Sequence, residues 1–299
     1  MARTIPARPI MGVAMQSRLL SLTYVLPALA VMTLVLFSPV FYGFWFSLFR
    51  IQYGATTDFI GLGNYARLLS DPALGATLWR TVIFTLSSVA LTTSIALALA
   101  VWIHSIKGPG GFVAQMVVIL PWIISTVVAT LLFRWVFLND IGLALSLART
   151  FGFPDIHPLN DPNGAMGFLI AVSVWKRIGY ALIILLAGLK GIPEDYNEAA
   201  RIDGATDWQI FRTITLPLLK TPLLLVTIVL TLSTVNTVET PLVLTGGGPG
   251  SATRILPMDV FDRAFINYDL GSASSLAVLM FAGNVLLVLA YVRLSKWKV

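Results

Sequence analysis

A polar segment lies between two long apolar runs in the second half of the chain, and its residue types suit the binding of a partner protein. The sequence reads Glu-Ala-Ala-Arg-Ile-Asp-Gly over residues 198–204 and, after nine more residues, Ile-Thr-Leu-Pro over residues 214–217. Apolar side chains recur at mostly helical spacings across residues 195–214, while the polar faces are led by acids. Helices that lie on a membrane surface usually carry a Lys/Arg-rich face, so this pattern favours an exposed docking helix.

Small side chains and one glycine give this segment a shape that fits docking. Ala199 and Ala200 keep one helical face narrow enough to enter a cleft, and Gly204 allows a bend between two short helices. Pro217 opens the next segment, where a missing backbone N–H costs nothing. The candidate docking residues are Glu198, Ala199, Ala200, Asp203, Gly204, Leu216 and Pro217.

A second group of residues places charge inside apolar runs, where an ionisable side chain costs a few kcal/mol or more and needs a reason. Lys176 and Arg177 follow Trp175, and Glu239 lies in the next apolar run. Arg134 lies near the end of the apolar run that precedes the one with Lys176. A long side chain there can reach the membrane interface, so we interpret Arg134 as structural. Lys176 is open to the same structural interpretation, whereas Arg177 is less easily explained in this way.

The composition is that of a membrane protein. Hydrophobic residues make up 57% of the 299 residues, charged residues only 11%, and the mean hydropathy is +0.85. Because unpaired backbone groups are too costly in lipid for an open sheet, six runs of about 20 apolar residues or more predict six transmembrane helices and an all-α fold. These runs are Leu19–Leu48, Leu78–Ile103, Phe112–Phe137, Ala165–Leu189, Leu218–Leu244 and Ser272–Leu294. The first exceeds the core of a signal peptide, so we expect an uncleaved helix.

The distribution of Lys and Arg predicts the orientation of these helices. With a cytoplasmic N-terminus, eleven of these side chains flank the cytoplasmic side and six flank the outer side. The larger set includes Arg3, Arg8, Arg18, Lys296 and Lys298 at the two ends of the chain. This topology places both termini and residues 190–217 in the cytoplasm. It also explains the pI near 9.7, and no basic patch suggests a nucleic-acid partner.

Three segments resemble one family of transporters. Glu-Ala-Ala, three residues, Gly, nine residues and Ile-x-Leu-Pro is the signature of permease subunits of binding-protein-dependent ABC importers. Gly-Leu-Gly-Asn-Tyr at residues 61–65 and Leu-Thr-Gly-Gly-Gly-Pro at residues 244–249 resemble its carbohydrate branch, related to maltose and glycerol-phosphate permeases. The resemblance spans essentially residues 20–298. It implies an importer type I permease fold over residues 19–299, after a cytoplasmic segment 1–18, with a coupling loop at residues 190–217.

The same resemblance implies the partners. A second homologous permease, a dimer of ATP-binding subunits and an extracytoplasmic solute-binding protein would assemble with this chain in a bacterial inner membrane. ATP and Mg would be bound by the partner subunits, so we expect no cofactor, no metal and no catalytic residue in this chain. The glycine-rich run at residues 246–248 lacks the Gly-Lys-Ser/Thr ending of a phosphate-binding loop. Glu198 and its neighbours become candidate ATPase-coupling residues.

The resemblance also implies that the fourth and fifth spans line a translocation path. The implied path residues are Trp175, Lys176, Arg177, Tyr180, Asn236 and Glu239. Amides and carboxylates suit the hydroxyl groups of a sugar, and an aromatic face covers the apolar side of its ring. An arginine fork in the path would also fit a phosphate, sulfonate or carboxylate. The alternative for Asn236 is a hydrogen bond to a neighbouring helix.

The sequence therefore predicts a permease subunit of an ATP-driven importer for a sugar or sugar derivative, with an anionic glycoside or glycerol-linked sugar as one option. An ion-coupled secondary transporter of a small polar solute is the alternative. That class needs no docking helix and commonly has two repeated halves with broken helices, whereas this sequence shows no repeat. A membrane enzyme is a second alternative that the sequence disfavours, because His104 and His157 lie in different loops and no nucleophile–base or metal-spacing cluster is present.

Overall fold

The computed structural model describes residues 11–138, 142–153 and 157–295. Most of the predicted cytoplasmic segment 1–18 lies outside this range, as do Arg3, Arg8, Lys296 and Lys298 from the charge count. The first part of the described chain forms α1 (Met11–Ser47), β1 (Phe49–Gln52), β2 (Ala55–Phe59), α2 (Gly63–Leu69), α3 (Pro72–Ser105), α4 (Pro109–Ile123), α5 (Thr126–Val136) and α6 (Leu143–Thr150).

The second part is also mostly helical. It forms α7 (Pro162–Lys190), α8 (Glu194–Ile202), α9 (Asp207–Ile210), α10 (Leu216–Leu218), α11 (Lys220–Val235), α12 (Glu239–Leu244), α13 (Leu256–Phe261) and α14 (Leu270–Ser295), with π-helical turns at Phe211–Thr215 and Asp262–Ile266. The all-α prediction is confirmed for the membrane spans. The described residues add one element that the sequence analysis did not predict, the two-stranded antiparallel hairpin of β1 and β2.

Six membrane spans can be assigned when bent helices are counted as single spans. α1, α3, α7 and α14 each contain a straight segment long and apolar enough to cross a membrane. The other two spans are bent: α4 and α5 meet at 93° and together form one, and α11, which the helical segment Asp207–Leu218 joins at 64°, forms the other. The prediction of six spans therefore holds in number.

The third and fifth apolar runs, Phe112–Phe137 and Leu218–Leu244, are interrupted along their length. The third run is interrupted after α4, where Ile124 and Ser125 take extended backbone conformations. The fifth ends as a helix at Val235 and resumes only with α12. This second break places Pro241 in the first turn of a new helix, where its missing N–H and its ring are tolerated.

The core lies where α3 packs along α7, with α4 and α11 against the same helix pair. Two glycines of α7 permit close approach. A Cβ on Gly179 would lie 2.9 Å from the Ile119 Cα atom of α4, and one on Gly188 would lie 2.7 Å from the Pro222 ring of α11. A larger side chain at either position would push the helices apart, because the α7 backbone lies directly against the α4 backbone at Gly179 and against the Pro222 ring of α11 at Gly188.

The Gly-Leu-Gly-Asn-Tyr segment closes the end of the bundle that carries the hairpin. This segment leads into the short helix α2, and Asn64 is only 1% exposed. Its side-chain amide donates to the carbonyls of Ser47 (2.7 Å) and Phe49 (2.9 Å), and the Tyr65 hydroxyl donates to the Ser47 hydroxyl (2.7 Å). Gly271 of α14 packs against the same Phe49 carbonyl. We call Ser47, Phe49, Asn64, Tyr65 and Gly271 the hairpin clasp, because they join α1 to α14.

A network of charged side chains lies at the same end. Arg254 pairs with Asp259 (3.0 Å) and Asp262 (2.8 Å), and Arg263 pairs with Asp259 (3.1 Å) and Asp71 (3.2 Å). Arg263 also donates to the Ser272 hydroxyl at 2.8 Å. These contacts tie α13 and the turn after it to the start of α3 and to α14, so the charges have a structural use.

Candidate coupling loop and translocation cavity

The predicted docking segment consists of two short helices, α8 and α9, joined by a bend, and it follows directly on α7. α8 contains the Glu-Ala-Ala motif and ends just before Gly204, whose φ of +82° is in the left-handed region that favours glycine. α9 begins with a capping box, in which Thr206 accepts from the Gln209 backbone N–H and the Gln209 side chain accepts from the Thr206 N–H. The predicted pair of short helices with a bend at Gly204 is confirmed.

The candidate coupling residues lie at the surface of this loop. Glu198, Ala199, Asp203, Gly204 and Pro217 are exposed, whereas Ala200 and Leu216 are half-buried. No residue of α8 is buried. A Cβ built on Gly204 would meet no other atom within 4 Å, so the space around the bend is open. The loop therefore presents the motif outward and packs little of it against the rest of the chain.

Three apolar side chains of this loop are exposed as well, and the sequence analysis did not include them among the coupling residues. Ile202 is 86% exposed, Trp208 is 67% exposed, and Tyr196 is exposed too. Trp208 stacks on Phe211, with ring centroids 5.5 Å apart. Their helical spacing is the signal in the sequence, and it indicates one face of an amphipathic helix. Apart from the stacking of Trp208 on Phe211, these side chains are left largely uncovered by the described part of the chain.

A cavity of about 450 Å³ lies where the two interrupted spans meet α7. We call it the polar cavity. It brings together four of the six predicted path residues, namely Lys176, Arg177, Tyr180 and Glu239. The remaining lining residues are Trp122, Ile124, Ser125, Thr126, Val229, Leu230, Ser233, Thr237 and Thr240. Five of these nine carry a hydroxyl group, a chemistry suited to a polyhydroxylated ligand.

Lys176 fastens the end of α4 to α7. Its ammonium donates to the carbonyls of Pro121 (2.8 Å), Trp122 (3.2 Å) and Ile124. These acceptors lie in the last turn of α4 and at the break, where intrahelical donors are absent. An ammonium group has three N–H donors, so this set of carbonyls occupies all of them. The arrangement favours the architectural interpretation of Lys176, although the residue also borders the polar cavity.

Arg177 differs from its neighbour in having few partners. Among the described residues, its one hydrogen bond is a long contact of 3.5 Å from Nη1 to the Ser173 carbonyl. Glu239, at the start of α12, borders the same cavity. The Tyr180 ring lies 5.8 Å from the Trp122 ring, centroid to centroid, so two aromatic groups border the same space.

The other two predicted path residues lie elsewhere. Trp175 packs edge-on against Phe133 of α5, with centroids 4.9 Å apart. Asn236 borders a separate cavity of about 380 Å³ and accepts a hydrogen bond at 3.0 Å from the Asn284 amide of α14. Its own amide donates to the Leu232 carbonyl at 2.7 Å. This geometry favours the alternative for Asn236, a hydrogen bond between neighbouring helices.

A bundle of six spans with an exposed loop and a polar cavity at two helix breaks is the architecture of a membrane permease. The chain belongs to the family of binding-protein-dependent transport system inner membrane components, whose family model matches residues 96–298. It is therefore a multi-pass membrane protein and a permease subunit of an importer. This membership favours the importer over the ion-coupled transporter that the sequence left as the alternative.

Individual relatives agree with this assignment. The chain is 33% identical to the sulfoquinovosyl glycerol transport system permease protein of Agrobacterium fabrum, over 94% of this chain and 92% of the relative. It is 32% identical to the trehalose/maltose transport system permease protein of Thermococcus litoralis, over 92% of each chain. A chain in the crystal structure of a bacterial alginate ABC transporter superposes with a TM-score of 0.83, covering 95% of this chain and 96% of that one. Since the identity there is 18%, that likeness establishes the importer permease fold alone.

Proposed function

We propose that this chain forms, with a second homologous permease, the membrane path of an ATP-driven importer for a sugar or sugar derivative. A dimer of ATP-binding subunits with bound Mg hydrolyses ATP, and an extracytoplasmic solute-binding protein delivers the solute. In this proposal both termini and the coupling loop are cytoplasmic, and residues 19–299 act as one transmembrane domain. The observation that carries the proposal is that one helix, α7, both borders the polar cavity and leads directly into the exposed coupling loop.

The continuity of α7 supports a mechanical link between ATP hydrolysis and the cavity. At 1.5 Å per residue, Lys176 lies ~21 Å along the helix from Lys190, where α7 ends. An ATPase that binds the coupling loop through Glu198 and Ile202 of α8 and Trp208 of α9 would move the end of α7. Because Lys176 and Gly179 hold α4 against α7, the movement would reach the break between α4 and α5. The bundle would then alternate between outward and inward access.

The chemistry of the cavity supports a sugar as the solute. Hydroxyl side chains can exchange hydrogen bonds with sugar hydroxyls, and the Trp122–Tyr180 pair can cover the apolar face of a ring. The names of two relatives point the same way, since they specify transport of sulfoquinovosyl glycerol and of trehalose/maltose. A third relative is named for the polyol phosphate sn-glycerol-3-phosphate.

Affinity purification from the native membrane tests the assembly. A tagged wild-type chain should recover an ATPase subunit and a second permease, with ATP hydrolysis in the eluate. The double variant Glu198→Ala/Gly204→Asp should enter the membrane normally and lose the ATPase, because both changes lie on the exposed loop.

The hairpin offers a matched control for this variant. Asp58→Ala/Gly54→Asp changes another exposed acid and another glycine with positive φ (+79°) and open space around it. This control should keep the ATPase. Recovery of wild type without any ATPase would contradict the proposal, as would loss of membrane insertion in the loop variant. Reconstituted importer and binding protein should then take up at least one member of a panel of neutral and acidic sugars, and failure on every member would contradict the choice of solute.

A further inference from the structure

We infer that the polar cavity selects an anionic solute, and that Arg177 binds a sulfonate, phosphate or carboxylate group attached to the sugar. This inference rests on the proposed function, because it assumes that the solute passes through the cavity. It adds the charge class of the solute and assigns one residue as the determinant of that specificity.

The charges that border the cavity are unequal. Lys176 and Arg177 are cations, and Glu239 is the one acid among the lining residues. The Lys176 ammonium is already surrounded by three carbonyl oxygens, which leaves it no donor for a solute. Even if Glu239 balances one cation, the lining keeps a net positive charge. A solute with a negative charge is therefore favoured over a neutral or positive one.

Arg177 is the group with free binding capacity. A guanidinium has five N–H donors, and in the described chain this one makes only the long contact to the Ser173 carbonyl. None of the ion pairs among the described residues involves Arg177. A charged side chain at membrane depth is costly without a partner. An oxyanion of a solute could accept two parallel hydrogen bonds from this fork, which a sugar hydroxyl cannot match in strength.

The rest of the cavity fits the remainder of such a solute. Ser233 of α11, Thr237 of the break after it and Thr240 of α12 supply neutral hydroxyl groups, and the Trp122–Tyr180 pair supplies an apolar surface. The volume of about 450 Å³ is within the roughly 300–1,000 Å³ usual for small-molecule sites. A neutral sugar would satisfy the hydroxyl side chains and leave the guanidinium unpaired. A sugar with an acidic substituent would satisfy both.

The test uses two probes that differ mainly in charge. Sulfoquinovosyl glycerol carries a sulfonate where glucosyl glycerol carries a hydroxyl group. Equilibrium binding of each probe is measured on the purified whole importer in lipid nanodiscs, without the solute-binding protein, so that the specificity of that protein does not enter. The measurement is made with and without a non-hydrolysable ATP analogue to sample both access states.

Wild type should bind the sulfonated probe more tightly than the neutral probe in at least one state. Arg177→Gln should weaken binding of the sulfonated probe by roughly 10- to 100-fold, the effect of losing charged hydrogen bonds, with less than about a twofold change for the neutral probe. Arg177→Lys, which keeps the charge without the fork, should fall between the two. Glu239→Gln, which removes the acid, should tighten binding of the sulfonated probe.

Arg134→Gln is the matched control, because it removes a guanidinium that donates to the Val243 carbonyl outside the cavity. It should leave the preference between the probes unchanged. The inference is overturned if wild type binds neither probe or prefers the neutral one, or if Arg177→Gln weakens both equally. Co-purification of the ATPase confirms that each variant is folded. If the importer assembles and transports neutral sugars with no effect of Arg177→Gln, the proposed function survives and only the anionic specificity fails.

Discussion

The hairpin clasp and the coupling loop both contain a sequence signature of the family, but the residues of the first are buried or half-buried and most of those of the second are exposed. In the clasp, Asn64 is buried and its amide donors are used by two backbone carbonyls of the same chain. In the coupling loop, Glu198 and Ile202 are exposed, and no residue of α8 is buried. One motif satisfies its own polar groups, whereas the other presents its side chains to the exterior.

This difference separates structural motifs from interaction motifs. Burying an amide is tolerated only when its hydrogen bonds are made, so a closed network identifies residues that hold the fold together. An exposed aromatic or aliphatic side chain on a polar helix gains nothing within the chain and identifies a surface that a partner can cover. Changes in the clasp should therefore lower stability, and changes in the loop should lower assembly while leaving stability intact.

The largest effect on stability is expected from Gly271→Ala. A Cβ at this position would lie 2.4 Å from the Phe49 carbonyl oxygen, a backbone atom that cannot move aside cheaply. We expect a destabilisation of about 3 kcal/mol from this overpacking. The midpoint of thermal unfolding of the purified protein in detergent measures it. Gly283→Ala in the same helix is the control, because its Cβ would meet nothing within 4 Å. Equal midpoints for the two variants would show that α1 and α14 are not held closely at the clasp.

A smaller loss of stability is expected from Asn64→Ala. The substitution leaves the Ser47 and Phe49 carbonyls without their amide donors in a buried site, at a cost of about 2 kcal/mol. Ser70→Ala, which removes an exposed hydroxyl bonded within α2 and its cap, should have almost no effect. The same thermal measurement compares the pair. A selective loss of ATPase recovery with unchanged stability would move this motif into the interaction class.

The smallest effect on stability is expected from Ile202→Ser in the coupling loop. Since this side chain is 86% exposed, its removal should change the free energy of unfolding by no more than about 0.5 kcal/mol. Recovery of the ATPase in affinity purification should nevertheless fall. Ile266→Ser, at another exposed isoleucine near the hairpin, should keep full recovery. If both variants recover the ATPase equally, the apolar side of α8 is not a docking contact.

Hydropathy was sufficient to predict the number of spans and the loop that carries the docking motif. It could not predict the first break, because Ile124 follows an apolar run and is itself apolar. At the second break, the polar residues Asn236, Thr237 and Glu239 lie within a long apolar run, and hydropathy averaged over that run does not show that the helix ends there. A break in a buried helix depends on where the freed carbonyls find donors, and the donor at the first break is Lys176, more than fifty residues away. The hairpin was missed because its strands are short and follow immediately on a long apolar run.

The candidate path was predicted only in part, for a related reason. The sequence identified Lys176 and Arg177 as unusual, but adjacent residues on a helix point in different directions, and their surroundings come from other helices. Lys176 donates hydrogen bonds to three carbonyls, whereas Arg177 makes one long hydrogen bond among the described residues. Asn236 and Glu239, three residues apart, likewise border different cavities because the helix is interrupted between them.

The hydrogen bonds from Lys176 of α7 to three carbonyls at the end of α4 affect how well this part of the membrane domain prevents leakage. Hydrogen bonds to a charged group contribute about 1.5–3 kcal/mol each, and all three join the same two helices. Pulling α4 away from α7 would leave an ammonium and three carbonyls unpaired at membrane depth. Such a state is sparsely populated unless bound ligands favour it. Lys176 thereby opposes passive leakage of small solutes between α4 and α7 when no ligand is bound.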